Sequence, residues 1–426
     1  VTTYRYIVAD LVTDVERADI QLADAEYGPS LNGGGTLTGL VPLQYGLTLD
    51  DLAPGRTSIY AYRDNALMWG GIVWGLDPAG SDMRLMAAGF ESYADRRILK
   101  QTFGPYAFQD RLSVAADIWR HIQQEISIGV EVPAEYLTSV APKLVYDALR
   151  AVEDTARLDW EKARDELAAD PPVGDAALVA AKKTAYDAAS AAARVAYDAY
   201  FATITGPTNL GTYDDPVEYP WWETHNCGDV IRDLAGNDAG FDYRIDVVQE
   251  GAGRRKILRL GYPRLGNRLV DFVVASGSNV RATPSLTIDG TFLSNSVIGI
   301  GAGEGQDTLR CDQFVAPGPY PWLDASVQMK YEVNYGFLEG RTKAELAARG
   351  SGAHVPNVFI GTAHPDMPFG AYQPGDDVWV DVHDGWATFA GWCRIMGWTL
   401  RPESEEVRLD LARSDLFMYG PGPDLT

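Results

Sequence analysis

This sequence predicts an α+β chain made mainly of β structure, and three observations carry that reading. A hairpin pattern near the start recurs near the end, the hydrophobic period switches from strand-like to helix-like between them, and one internal segment carries the heptads of two long helices. The recurring pattern is Pro54 to Gly75, PGRTSIYAYRDNALMWGGIVWG, against Pro374 to Ile395, PGDDVWVDVHDGWATFAGWCRI. At a constant offset Pro-Gly falls on Pro-Gly, Asp64 on Asp384 and Gly71 on Gly391. Each copy has an alternating strand (Ser58 to Tyr62; Val378 to Val382), an Asp-Asn or Asp-Gly turn and an aromatic-rich return strand, which is the grammar of a β-hairpin. A third strand follows each, Met83-Arg84-Leu85 and Val407-Arg408-Leu409. The shared pattern outweighs the few identities, so two related β modules are expected at opposite ends of the chain. The predicted order is a β domain over 1–104, an α+β domain over 105–265 with an inserted antiparallel helical hairpin at 142–204, and a second β domain over 266–426 with a small insertion around 316–372.

Along the chain, Tyr4 to Asp10 alternates, and Gly28 to Leu43 sets a glycine-rich turn between two strands. From Phe108 the period changes: Leu112, Ala115, Ile118, Trp119 and Ile122 share one helical face, with Asp110 placed to cap it. In the inserted segment Val145, Leu149, Val152, Ala156, Ala163 and Leu167 form one seam. Leu178, Ala181, Ala185, Ala188, Ala192, Val195 and Ala199 form another, and the turn Asp170-Pro171-Pro172-Val173-Gly174 between them forces the helices antiparallel. Tyr186, Tyr197 and Tyr200 are placed to cover the sides; the segment is either a solvated arm or a binding arm. After Gly206 to Tyr219, a short helix through Cys227, Val230, Ile231 and Leu234 stops at Gly236, and Phe241 to Val248 pairs with Lys256 to Leu260. β patterns then run from Leu269 to Leu411, interrupted by the proline-rich Ala316 to Trp322 and by a small helix. That helix opens on the capping-box spacing Thr342-Lys343-Ala344-Glu345 and ends at Gly350.

Composition narrows the function. A length of 426 residues with 11 Trp and 22 Tyr is that of a packed multi-domain protein. No apolar run approaches the ~18 residues of a membrane span, and VTTYRYIVADLV lacks the basic start and cleavage site of a signal peptide. Cys227, Cys311 and Cys393 are odd in number and far apart, which excludes a disulfide framework and metal spacing; they read as small buried hydrophobes. A net charge of -23 weighs against tight nucleic-acid binding, since the longest basic cluster is Arg254-Arg255-Lys256. Most of the acidic excess lies outside the helical insertion, so it either lines an inner wall that repels DNA or keeps the outer surface soluble.

Motifs for chemistry are sparse, and no catalytic, cofactor-binding or metal residue is assigned. Gly299 to Gly305 lacks the Gly-Lys-Ser/Thr of a phosphate loop and reads as a strand-to-turn segment. His121 and Glu125 share a helical face but lack the third ligand a zinc site needs. Asp381, His383 and Asp384 cluster without a nucleophile, and Asn237, Asp238 and Asp242 do not have EF-hand spacing. Paired carboxylates for glycoside hydrolysis stay open among 59 acidic residues, because geometry alone identifies them.

Four stretches resemble a known family. Leu31-Asn32-Gly33-Gly34-Gly35-Thr36-Leu37-Thr38-Gly39 is similar to the opening glycine-rich hairpin of the tail-tip hub proteins of long-tailed bacteriophages, the minor tail proteins of baseplate-hub type. Phe241 to Asp246 with Leu258 to Gly266 resembles the strand pair closing that family's mixed domain, and Asn295 to Gly303 the start of its second barrel. The resemblance covers the chain apart from 142–204. It implies two tube-like β-barrel domains flanking the α+β domain, a homotrimeric ring, and no catalytic residues or cofactors in the hub. It also implies a virion location at the tail tip, with distal tail or tube proteins, a tape measure protein and tip fibre or spike proteins as partners. DNA would pass through the ring without specific binding. Two other classes are weighed: a carbohydrate or receptor-binding module, motivated by Trp69, Trp74, Trp379, Trp386, Trp392 and Trp398, and a cell-wall hydrolase, for which no motif is found.

Overall fold

The computed structural model describes residues 2–414 apart from 44–46, 107–110, 134–139, 169–174, 202–216, 237–240, 252, 263, 282–286, 289, 304, 317, 319–320, 330–334, 351–352, 355–357, 384 and 386–387. The chain forms two compact units, Val1–Val132 with Asn209–Thr426, and Pro133–Thr208.

The first unit opens with β1 (Tyr4–Asp10), β2 (Glu16–Ile20), β3 (Ala23–Ser30), β4 (Gly33–Val41), β5 (Thr57–Arg63), β6 (Ala66–Ala79) and β7 (Asp82–Gly89). A 3₁₀ segment at Phe90–Arg96 leads to β8 (Phe103–Tyr106), α1 (Arg111–Ile122) and β9 (Val130–Glu131). The second unit holds α2 (Val140–Ala168) and α3 (Ala176–Phe201). The first then resumes with β10 (Val217–Tyr219), α4 (Cys227–Gly236), β11 (Asp242–Glu250), β12 (Gly253–Gly261), β13 (Arg268–Ala275), β14 (Thr287–Ile288), β15 (Ser296–Ile300), β16 (Arg310–Phe314) and β17 (Asp324–Gln328). It ends with α5 (Tyr335–Arg349), β18 (Ala353–His354), β19 (Val358–Gly361), β20 (Asp377–His383), β21 (Thr388–Arg401) and β22 (Glu406–Arg413).

Both predicted hairpins are present, and the likeness runs further than the sequence pattern. β5-β6-β7 and β20-β21-β22 are antiparallel meanders, each with a middle strand of 14 residues. The strand preceding each meander, β4 or β19, pairs antiparallel with the third strand of its own module, so the orders β5-β6-β7-β4 and β20-β21-β22-β19 match. The registers differ by one residue: Ile59 opposes Gly71, whereas its counterpart Trp379 opposes Trp392. Asp64 and Asn65 both take left-handed φ values, 48° and 66°, as a two-residue hairpin turn requires. Asp384, aligned with Asp64, lies outside the described residues.

The two modules belong to one sheet of twelve strands, with the path β13-β20-β21-β3-β4-β7-β6-β5-β1-β2 and β22 and β19 branching from β21. The seam is β3 against β21, where Ser30 opposes Gly397, Tyr27 opposes Leu400, and the Leu31 N–H donates to the Met396 carbonyl at 2.7 Å. Glycine makes this approach possible, because a Cβ on Gly28 would lie 1.7 Å from the Trp398 carbonyl oxygen. One face of both modules shares a single core, in which Tyr6, Tyr27, Leu37 and Trp69 join Val378, Val380, Ile395 and Trp398. Where two separate tubes are expected, the strands of both modules lie in one open sheet, and no sheet among the described residues closes into a barrel. β1 also differs from its half-buried alternation: Tyr6, Ile7, Val8 and Ala9 are all buried, because both faces of the sheet are covered there.

The mixed elements follow their sequence signals closely. α1 buries Leu112, Ala115, Ile118, Trp119 and Ile122, and the expected cap Asp110 lies outside the described residues. α4 begins after Asn226, whose Oδ1 accepts the N–H groups of Gly228 (2.9 Å) and Asp229 (3.2 Å). β11 and β12 pair antiparallel, with β9 added in parallel. α5 corrects the capping-box reading: it starts at Tyr335, and Thr342 is buried mid-helix, its hydroxyl donating to the Leu338 carbonyl at 2.7 Å.

In the second unit, the ring of Trp160 stacks on that of Tyr186 (5.6 Å, 6°), and Lys182 pairs with Asp159 at 2.5 Å. Running the helices the same way would need a connection as long as α3, about 39 Å for 26 residues; residues 169–175 reach at most about 25 Å. The helices therefore run in opposite directions. Ala163 of the expected seam is buried, but Val152, Leu178 and Val195 are exposed: with one partner each, the helices cover only a narrow stripe. Because 142–204 falls within a compact unit of its own, replacing it by a short glycine linker is expected to leave the first unit folded. An unchanged near-ultraviolet dichroism spectrum, apart from the lost Trp160 signal, would verify this; loss of cooperative unfolding would refute it.

Candidate functional site

Leu31–Gly39, Phe241–Asp246, Leu258–Gly266 and the Pro374–Ile395 hairpin meet at one place in the first unit, where the two β modules join the mixed elements. Asn32, in the β3–β4 turn, clamps β11: its Oδ1 accepts the Tyr243 N–H (2.7 Å), its N–H donates to the Tyr243 carbonyl (3.0 Å), and its carbonyl accepts the Tyr243 hydroxyl (3.0 Å). Asp242 beside it is buried and ion-paired with Arg394 of β21, which is 1% exposed. Asp242 Oδ2 also accepts the Leu265 N–H at 2.8 Å, and Arg394 donates to the Leu265 carbonyl at 3.0 Å. Alongside, Arg264 pairs with the fully buried Asp377 (2.6 Å), while Asp376 accepts the N–H groups of Asn267 and Gln373, each at 2.8 Å. Burying these charges is tolerable only because each is ion-paired or, for Asp376, held by backbone N–H groups, and the result fixes the geometry of three segments far apart in sequence.

A second polar cluster ties the modules together. Glu405 accepts from Thr362 (2.7 Å) and pairs with Arg63 (3.3 Å), whose Nε reaches the Tyr4 hydroxyl at 3.3 Å. Arg401 pairs with Glu26 at 2.7 Å, and the Asp24 N–H donates to Glu403 at 3.0 Å. Next to both clusters lies a cleft of about 610 Å³, bounded by the β5–β6 hairpin, residues 244–248 of β11 and the 369–374 loop. Glu91 sits in its wall, Oε1 accepting the Ile245 N–H at 2.5 Å. Loss of water pushes its carboxyl up to about 7 and Asp246 adds to the shift, against its backbone hydrogen bonds and Arg244.

Lys256 is a buried cation that nothing in the sequence announces. Its Nζ donates to the carbonyls of Ile128 (2.7 Å) and Leu11 (3.5 Å) and lies 4.6 Å from the centroid of the Phe90 ring. Burial pulls its pKa from 10.5 down to about 8, with Arg254 helping and Asp14 and Asp10 opposing. The folded state thus releases this proton before the unfolded state does, and stability rises as pH climbs from about 8 to about 10.5. That gain is up to about 3 kcal/mol at roughly 1.4 kcal/mol per pKa unit. Urea midpoints measured between pH 7 and 10 should rise for the wild type relative to Lys256→Met, the variant carrying the fall that Cys227 and the buried tyrosines contribute to both.

The candidate chemical residues have other occupations. His121 Nε2 accepts the Lys100 N–H at 3.1 Å, and Glu125 pairs with Lys100 (2.6 Å) and Arg97 (3.3 Å). Asp381 and His383 are exposed on one strand face, while Asp384, Asn237 and Asp238 lie outside the described residues. Gly299 packs β15 against α5, where a Cβ would meet the Thr342 hydroxyl at 2.1 Å; Gly301 and Ala302 bond across to Leu309 as a turn. All three cysteines are buried and free. Among the described residues, no cluster of His, Cys, Asp and Glu could hold a metal ion, and no helix is long and apolar enough to cross a membrane. Trp69 and Trp398 are core residues, Trp379 and Trp392 pack edge to face at 5.5 Å, the Arg96 guanidinium lies 5.1 Å from the Trp74 ring, and Trp386 lies outside the described residues.

No family model and no curated protein matches this sequence. Solved structures do. The tail protein from Neisseria meningitidis MC58 superposes with a TM-score of 0.53 at 12% identity, covering 97% of this chain and 98% of that one. The 43 kDa tail protein of prophage MuSo2 from Shewanella oneidensis gives 0.51 at 9% identity, covering 97% and 99%. The chain shares their fold. The match covers nearly the whole of each chain.

Proposed function

We propose that this protein is a structural component of a bacteriophage tail: a homotrimeric hub at the tail tip that links the tube to tip fibres or a spike and surrounds the path of the DNA. The observation that carries the reading is the end-to-end likeness to two tail proteins in a chain whose two β modules repeat the same four-strand order. Three copies of a chain with two equivalent modules present six, which lets a trimer mate with a six-fold tube. Distal tail, tape measure and fibre or spike proteins would be its neighbours, and the acidic chain would let DNA slide past without specific binding. The first and second β domains of the hub would be 1–104 and 266–426, with 105–265 between them and the antiparallel helices of 142–204 as an added arm.

A carbohydrate-binding reading keeps fewer of its six tryptophans, since Trp69 and Trp398 are spent in the core. Gold-labelled antibody against the protein should decorate the distal end of intact tails. Label on the capsid or along the tube would refute the placement, and a light-scattering mass other than three times 46.5 kDa for the assembled species would refute the trimer.

A further inference from the structure

We propose that the cleft between β6 and β11 receives an extended, basic segment of another polypeptide, added as a β-strand. The first ground is backbone chemistry. β11 pairs with β12 on one side only, and on its other side successive outward residues alternate. Tyr243 is satisfied by Asn32, and the Ile245 N–H by Glu91. Val247 is the next outward residue, and among the described residues its N–H and carbonyl have no partner; it lines the cleft. Facing it, β6 is paired by β7 only from Gly71 onward, so the edge of Ala66–Gly70 away from β5 has no strand among the described residues. An open β6 edge of five residues, with the open Val247 of β11 on the other wall, is the setting in which strand addition supplies the missing hydrogen bonds.

The second ground is charge. The cleft's two arginines are already paired, Arg63 with Glu405 and Arg244 with Asp246. Glu91 receives backbone N–H groups, but no cation lies within ion-pair distance of it among the described residues. A Lys or Arg from an incoming strand would pair with this carboxylate, and the net charge of -23 favours a basic partner over a second copy of this chain. Phe369 and Met68 offer apolar surface for the alternate side chains of such a strand. The cleft geometry stands whether or not the protein occupies a tail tip.

The groups facing Glu91 are Arg244 and Asp246 on β11 and Arg63 and Asp64 on the hairpin. Burial raises the Glu91 carboxyl to about 7, so a basic strand should bind more tightly at pH 8 than at pH 6. The test uses the full chain and a yeast-displayed random nonapeptide library sorted at pH 8. Enriched peptides should carry Lys or Arg, lack proline, lose at least tenfold in affinity to Glu91→Gln and protect the Val247 amide from hydrogen exchange. Glu91→Gln should itself unfold at a midpoint close to wild type, so that lost binding is not lost folding. Acidic or proline-rich winners, clones indifferent to Glu91→Gln, a library without any clone that Glu91→Gln weakens, or a Val247 amide already protected in the free protein would each overturn the proposal.

Discussion

Gly28→Ala should be among the most damaging single substitutions in this protein. The added Cβ would sit 1.7 Å from the Trp398 carbonyl oxygen, a backbone atom that cannot swing away like the end of a side chain. Either β3 and β21 part or both strands bend, and in each case the core shared by Tyr27 and Trp398 opens. Overpacking usually costs about 1–3 kcal/mol, and a clash with backbone belongs at or above the top of that range. Gly253→Ala is the control: its nearest neighbour would be at 3.7 Å at the exposed start of β12, so it should change stability by less than about 0.5 kcal/mol. Urea unfolding of the two variants side by side checks the contrast.

Arg394→Met is expected to lower stability by about 3–5 kcal/mol, because it leaves the Asp242 carboxylate buried without its counter-ion. Asp242→Asn should also destabilise, since it strands the guanidinium. The double variant should recover part of the loss, for neither charge is then left alone, with a coupling energy of about 1–3 kcal/mol. Strict additivity would mean that the pair is incidental and that the junction is held by packing alone.

Much of the fold was legible wherever a local rule decides the outcome. Asp64-Asn65 demanded left-handed φ values and obtained them, Gly236 closed α4, and the inward faces of α1 and of β20 followed their periods. Local rules failed where distant contacts win. Thr342-x-x-Glu345 has capping-box spacing, yet the hydroxyl bonds within a longer helix because α5 lies on Gly299. Val152 and Val195 sit at heptad spacing but find no second partner to bury them.

The site was legible only in pieces. Asn32, Asp242 and Asp376 stand in stretches marked as distinctive, yet nothing local says that they converge, since Asn32 and Tyr243 lie 211 residues apart. The β3–β21 seam is hidden for the same reason: a glycine that permits a close approach looks like any turn glycine until the opposing carbonyl is known. Lys256 reads as part of a short basic run, whereas Arg254 and Arg255 reach carboxylates and it alone is held by backbone carbonyls without an ion pair.

The proposed trimeric hub rests on two modules acting as equivalents, and an image reconstruction of intact tails without imposed symmetry tests that most directly. The expected result is three copies of the chain, with segments 57–73 and 377–393 alternating at one radius around the axis. A different copy number, or the two segments at different radii, would contradict it.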